Sequence, residues 1–151
     1  MIKKSLLVVT SVAAVLAAVA YVMYLRNPTP AVAAISAAEA ANPSKPFVVK
    51  LHAQWCPVCM VTKTVWSRIE ATYSGRVNLV VFDFTNQTTT DTSRAEARRL
   101  GLEEFFENTG STGTIAVLDG RSRKVLATIN GSRDFAEYQA AINSALATAP
   151  K

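Results

Sequence analysis

The first long apolar run, SLLVVTSVAAVLAAVAYVMYL over residues 5–25, has no charged residue and no polar face. It is long enough to cross a bilayer as one helix, which takes about 20 residues. Lys3 and Lys4 precede it, so the positive-inside tendency sets Met1 in the cytoplasm and everything after Arg26 outside. The length of the run favours a retained anchor, although Ala31-Val32-Ala33 and the alanines that follow also suit cleavage of a secretory signal. Both alternatives export the remainder. Residues 26–33, with Pro28 and Pro30, read as a linker. The alanine-rich stretch 31–42 is helix-prone, as part of that linker or as the first helix of a domain spanning 34–151.

Further on, the period changes several times. FVVKLHA, residues 47–53, predicts a strand from its β-branched and aromatic content. From Pro57, the apolar residues Val58, Val61, Val65, Ile69 and Tyr73 recur at three- and four-residue steps, one stripe of a helix ended by Ser74-Gly75. VNLVVFDF, residues 77–84, is nearly continuous in apolar residues, as a strand covered on both faces should be. The polar stretch that follows leads into a short helix around Arg94 to Leu100, with Gly101 as its cap.

LEEFFENTGSTG reads as a turn of helix and a loop, and TIAVLD and KVLATIN as two strands joined through Asp119-Gly120. Ser132 is placed to cap a last helix that buries Phe135, Tyr138, Ile142 and Leu146. Strands first linked by helical crossovers and then closed by a hairpin predict an α/β domain: a mixed central sheet flanked by helices on both sides.

Length allows one such domain. The net charge of +5 adds little, because Lys3, Lys4 and Arg26 flank the apolar segment and the rest of the surplus is spread out. No basic stripe with interleaved aromatics marks a nucleic-acid binder.

Chemistry concentrates in LHAQWCPVCM, residues 51–60, which holds both cysteines of the chain. Cys56 falls where strand hands over to helix, and Pro57 suits the first helical position. The helix dipole and free N–H groups then face the Cys56 sulfur and favour its thiolate, with Cys59 one turn deeper and near enough to close a small disulfide. Three readings compete. A structural staple gains little from so short a loop. A metal site finds few ligands: zinc wants about four, whereas copper could use Cys56, Cys59 and the single histidine, His52. A redox centre needs only the two sulfurs and no cofactor.

KPFVVKLHAQWCPVC, residues 45–59, resembles the active-site segment of thioredoxin-like proteins, most closely their exported or membrane-anchored members with Trp-Cys-x-x-Cys. The similarity extends more weakly over about residues 34–148 through the order of elements. The resemblance implies a thioredoxin-like fold, preceded here by one N-terminal transmembrane or signal helix. It implies Cys56 as nucleophile, Cys59 as resolving thiol and Trp55 beside the disulfide shaping partner contact. Pro57 and Val58, between the cysteines, bear on redox poise, but their cues point in opposite directions.

Three departures from the family pattern stand out. Where thioredoxins carry a buried aspartate that serves the resolving thiol, this chain has Lys50. Its ammonium either favours a Cys59 thiolate or snorkels to the edge of the sheet. Where the family has a cis-proline facing the disulfide, Thr112-Gly113-Thr114 has glycine, so a trans bond is expected and the site is left more open to metal. The stretch Glu103–Ser111 is long for the family, and its Phe105 and Phe106 are either core or an apolar partner patch.

The function expected is an exported thiol–disulfide oxidoreductase working through Cys-Pro-Val-Cys, as a reductant or in cytochrome or copper-site assembly. Its partners would be thiols and disulfides of exported proteins and a membrane redox carrier, with the membrane itself reached through the N-terminal helix if uncleaved. The alternatives are a copper-binding chaperone and a thioredoxin-fold scaffold whose disulfide never turns over.

Overall fold

The structure, a computed structural model, describes residue 42 and residues 44–149. The apolar run 5–25, the linker 26–33 and the alanine-rich stretch up to residue 41 lie outside the described residues. Among the described residues, no helix is long and apolar enough to cross a membrane.

Four strands form one sheet: β1 (Phe47–His52), β2 (Asn78–Asp83), β3 (Thr114–Leu118) and β4 (Val125–Asn130), in the order β2-β1-β3-β4. β1 runs parallel to β2 and antiparallel to β3, and β3 antiparallel to β4. The mixed sheet expected from the crossovers and the final hairpin is therefore present. Alternate residues of β1 feed two cores. Phe47, Val49 and Leu51 pack with α3 (Gln87–Leu100) and α4 (Glu103–Glu107), through Ala97, Leu100 and Phe106. Val48, on the other face, packs with α2 (Lys63–Tyr73) and α5 (Phe135–Thr148), through Trp66, Ile69, Tyr73, Tyr138 and Ile142. Helices flank the sheet on both sides.

Several expectations need correction. The helix predicted as continuous from Pro57 to Tyr73 is broken at Thr62 into α1 (Pro57–Val61) and α2. The fully buried Thr62 donates its hydroxyl to the carbonyls of Val58 at 3.2 Å and Cys59 at 3.3 Å, a back-bond that bends helices. The buried stripe runs through Cys59, Thr62, Val65 and Trp66, leaving Val58 and Val61 half-buried. β2 is not covered on both faces: it is a sheet edge among the described residues, and Val81 is 45% exposed.

α3 begins at Gln87, well before Arg94, because Asn86 and Thr89 form a capping box. Its other end follows expectation, with Gly101 left-handed at φ 69°. The last helix is capped by Asp134, which accepts from the Ala136 N–H at 2.9 Å; Ser132 instead accepts from the Asp134 N–H at 3.1 Å. Ala145 rather than Leu146 completes its most buried face. The β3–β4 connection is wider than a two-residue turn, with Asp119 Oδ1 gathering the Arg121 and Ser122 N–H groups.

Phe106 is core. It stacks on Phe84 with centroids 5.1 Å apart and meets Phe82 edge-on at 5.2 Å. Phe105 is partly buried against the same cluster, so the pair does not form an exposed patch.

Candidate active site

At the C-terminal end of β1 the chain turns through Ala53 to Trp55 and starts α1 at Pro57, with Cys56 as its N-cap. Both cysteines are buried beside Ala53, with Val58 and Phe84 against them. The Cys56 sulfur accepts the Cys59 N–H at 3.2 Å, and the Cys59 sulfur lies 3.7 Å from the Leu51 carbonyl. Burial pushes the Cys56 thiol up. Donors outweigh it: the Cys59 thiol, the Thr112 hydroxyl and the Cys59 and Val58 N–H groups together bring Cys56 below the ordinary thiol value. Two of these donors, the Cys59 and Val58 N–H groups, are free helical N–H groups of the kind the sequence aims at this sulfur; the Thr112 hydroxyl and the Cys59 thiol add to them. Cys59 moves the opposite way, pushed up by burial and by its role as donor to Cys56, against smaller opposing effects from the Ala53 backbone and Lys50. One sulfur is poised as the anion and the other as its proton-bearing neighbour.

The loop after α4 supplies the facing wall. Gly113 sits at φ 84°, in the left-handed region open to glycine, and donates its N–H to the Leu51 carbonyl at 2.8 Å. No peptide bond among the described residues is cis. A Cβ on Gly113 would come within 2.5 Å of Val58 Cγ1, and one on Gly131 within 3.0 Å, so two glycines cup Val58.

Trp55 is 65% exposed and donates Nε1–H to the Thr85 carbonyl at 3.1 Å. It is neither core nor packed into the cysteine cluster; its face is offered to solvent at the rim. Met60, 73% exposed, lines the cavity beside Cys59.

Lys50 does not snorkel free of the sheet. It is the one buried charged residue among the described residues, 7% exposed, with its ammonium 5.5 Å from the centroid of Trp66. It shares a cavity with Cys59. His52 lines the same cavity, but no three His, Cys, Asp or Glu side chains among the described residues gather as a metal would require. The copper set of Cys56, Cys59 and His52 is not assembled.

Sequence reasoning missed Thr85, Gly131, Lys63 and Glu70. Thr85 fixes the approach to the site by accepting from the Gln54 N–H through its hydroxyl at 3.0 Å. Lys63 and Glu70 line the Lys50 cavity; their spacing from Cys59, four and eleven residues, is one helical face and was available to find them.

A family model described as Thioredoxin matches residues 33–98. No curated protein matches. Among solved structures, the chain is similar to MTB DsbF in its mixed oxidised and reduced forms, at 18% identity over 68% of this chain and 81% of that one, TM-score 0.49. It is similar to a Malassezia sympodialis thioredoxin at 20% identity, over 72% and 83% of the two chains, TM-score 0.47. It is also similar to oxidised thioredoxin O2 of Arabidopsis thaliana at 22%, over 72% and 83%, TM-score 0.46. These distant likenesses carry no weight beside the family match. That match spans the first strand, the cysteine pair and the helices after it, and over those residues the chain is similar to thioredoxins.

Proposed function

We propose that this chain is a thiol–disulfide oxidoreductase acting on protein thiols and disulfides through Cys56 and Cys59. The observation that carries the reading is the set of donors converging on one sulfur: two N–H groups, a hydroxyl and a neighbouring thiol all favour a Cys56 thiolate. A thiolate at neutral pH is the attacking species in exchange. Cys56 displaces one sulfur of a partner disulfide and forms a mixed disulfide. Cys59 then attacks Cys56, closes the intramolecular bond and expels the partner's second thiolate. The partner gains two electrons and the Cys56–Cys59 pair loses them; run backwards, the same steps oxidise a partner dithiol.

Thr112 tunes the nucleophile through its hydroxyl, Gly113 and Val58 shape the wall over it, and Pro57 starts the helix that carries it. Trp55 meets the partner at the rim. Residues 5–25 anchor the domain on the exported face of the cytoplasmic membrane, a setting that is generally oxidising. A reductant there draws electrons from a membrane carrier and passes them to exported proteins such as apocytochromes or copper-site assembly proteins.

The reading is tested with the full chain in detergent micelles and insulin as the disulfide substrate. The wild-type chain should accelerate insulin reduction by dithiothreitol, Cys56→Ser should abolish this, and Cys59→Ser should accumulate a mixed disulfide released by reductant. Insulin reduction at the uncatalysed rate, with no adduct on Cys59→Ser, would overturn it.

A further inference from the structure

Behind the resolving cysteine lies a cavity of about 420 Å³ whose wall includes Lys50, His52, Cys59, Lys63, Trp66 and Glu70. A buried lysine is costly unless something compensates its charge. Its cross-strand neighbours do not: Lys50 stands opposite Val81 on β2 and Ile115 on β3. Two positions on, on the same face, His52 stands opposite Asp83, and Asp83 Oδ1 is engaged by Thr85. The groups that act on Lys50 come from the helices: Cys59 on α1, and Lys63 and Glu70 on α2. Desolvation disfavours the ammonium most; Cys59 and Glu70 favour it, and Lys63 disfavours it. The strongest favourable partner of this buried amine is therefore the thiol that must ionise in the second step of exchange.

We propose that Lys50 is a positioning residue for resolution: its ammonium, walled in beside Cys59, is the fixed counter-charge against which the Cys59 thiolate forms. The inference rests on the exchange reading above and assigns the division of labour within it. In the mixed disulfide, the Cys59 S–H bond breaks and its proton leaves through the cavity to water. The thiolate, paired with the ammonium, attacks Cys56 Sγ; the Cys56–Cys59 bond forms, the bond from Cys56 to the partner breaks, and the partner sulfur departs with the electron pair. Lys50 keeps its proton throughout and touches neither reacting bond. Cys56 has donors of its own: besides the Cys59 thiol, its thiolate accepts from the Thr112 hydroxyl and from the Cys59 and Val58 N–H groups.

The probe is 5,5′-dithiobis(2-nitrobenzoate), an aromatic disulfide that releases one coloured thiolate when Cys56 attacks and a second when Cys59 resolves. With the full chain in detergent micelles, Lys50→Met should leave the first release unchanged. It should slow the second about tenfold at neutral pH, the rate change for about 1.4 kcal/mol of lost stabilisation, and move its pH profile to higher pH. Lys50→Arg should restore most of the rate. A second release with the wild-type rate and profile overturns the proposal, as does a slower release whose profile has not moved, which would make Lys50 a packing residue. A separate measurement does not need exchange at all. In Cys56→Ser, thiolate absorbance at 240 nm reports Cys59 ionisation, and adding Lys50→Met should shift its midpoint upward; an unmoved midpoint overturns the proposal. Failure of the first release in the wild-type chain would instead strike the exchange reading.

Discussion

Val58 Cγ1 occupies the space that a side chain on Gly113 would need: a Cβ built there lies 2.5 Å from it and 2.7 Å from Val58 Cβ. The loop that faces the cysteines and Val58 between them are thus fitted to each other, and neither can be enlarged alone. Gly113→Ala should cost about 1–3 kcal/mol from overpacking, with further strain from the left-handed backbone. Combining it with Val58→Ala should recover only part of the overpacking, because alanine keeps the Cβ that lies 2.7 Å away. Urea denaturation of the four chains in a double-mutant cycle measures the coupling, and strictly additive costs would contradict the fit.

The Thr112 hydroxyl is one of the donors that hold Cys56 below the ordinary thiol value. Thr112→Val keeps the shape and removes the donor. Because the lowered thiol reaches full ionisation at lower pH than a free one, the mutation should slide the alkylation curve to higher pH. Iodoacetamide rates with Cys59→Ser as background should fall about three- to tenfold at neutral pH, the size of one ordinary hydrogen bond of about 1 kcal/mol. The rates should converge at alkaline pH, where both thiols are ionised.

Much of this architecture is written in local patterns. The strand before the cysteines, Cys56 at a helix start, Pro57 at the first helical position and Gly101 as a left-handed cap each follow from residue type and position. Long-range or competing effects hid the rest. The polar run from Gln87 to Ser93 looks like a loop because threonines are poor helix formers, yet the Asn86–Thr89 box and packing of Ser93 and Ala97 override that tendency. Thr62 breaks a helix that its apolar spacing would continue, because its hydroxyl reaches back to two carbonyls. Val81 belongs to an apolar run but lies on a sheet edge, which spacing within one strand cannot reveal. In the site, the cysteine pair was legible from a single motif. The glycine cup around Val58 and the helical groups around Lys50 arise only when distant segments meet.

Caps give a direct check on the corrected helix starts. Asn86→Ala and Asp134→Ala each remove a side-chain acceptor from a free helical N–H and should each cost about 1 kcal/mol. Ser132→Ala removes only the bond from the Asp134 N–H and should cost less. Chemical denaturation midpoints rank the three, and a larger loss at Ser132 than at Asp134 would restore the capping role read from the sequence.

Burying Lys50 leaves a thermodynamic trace as well. Its folded-state value lies below the ordinary 10.5, so between those two values the unfolded chain binds more protons than the folded one. The lysine therefore opposes folding fully below its folded-state value, and the penalty fades as pH rises towards 10.5. Lys50→Met should stabilise the chain at neutral pH, by about 1.4 kcal/mol for each pH unit of depression. That gain should hold up to the folded-state value and shrink from there towards pH 10.5, as followed by denaturation at a series of pH values.

The central claim is that Cys56 and Cys59 form a couple that opens and closes under physiological redox conditions. Equilibrating the full chain with reduced and oxidised glutathione at varied ratios, then trapping and counting free thiols, tests it most directly. The account predicts one reversible two-electron transition, inside the span of about 150 mV that thioredoxin-like oxidoreductases cover, that disappears when either cysteine is replaced by serine. A pair that stays wholly reduced or wholly oxidised across every buffer would contradict it.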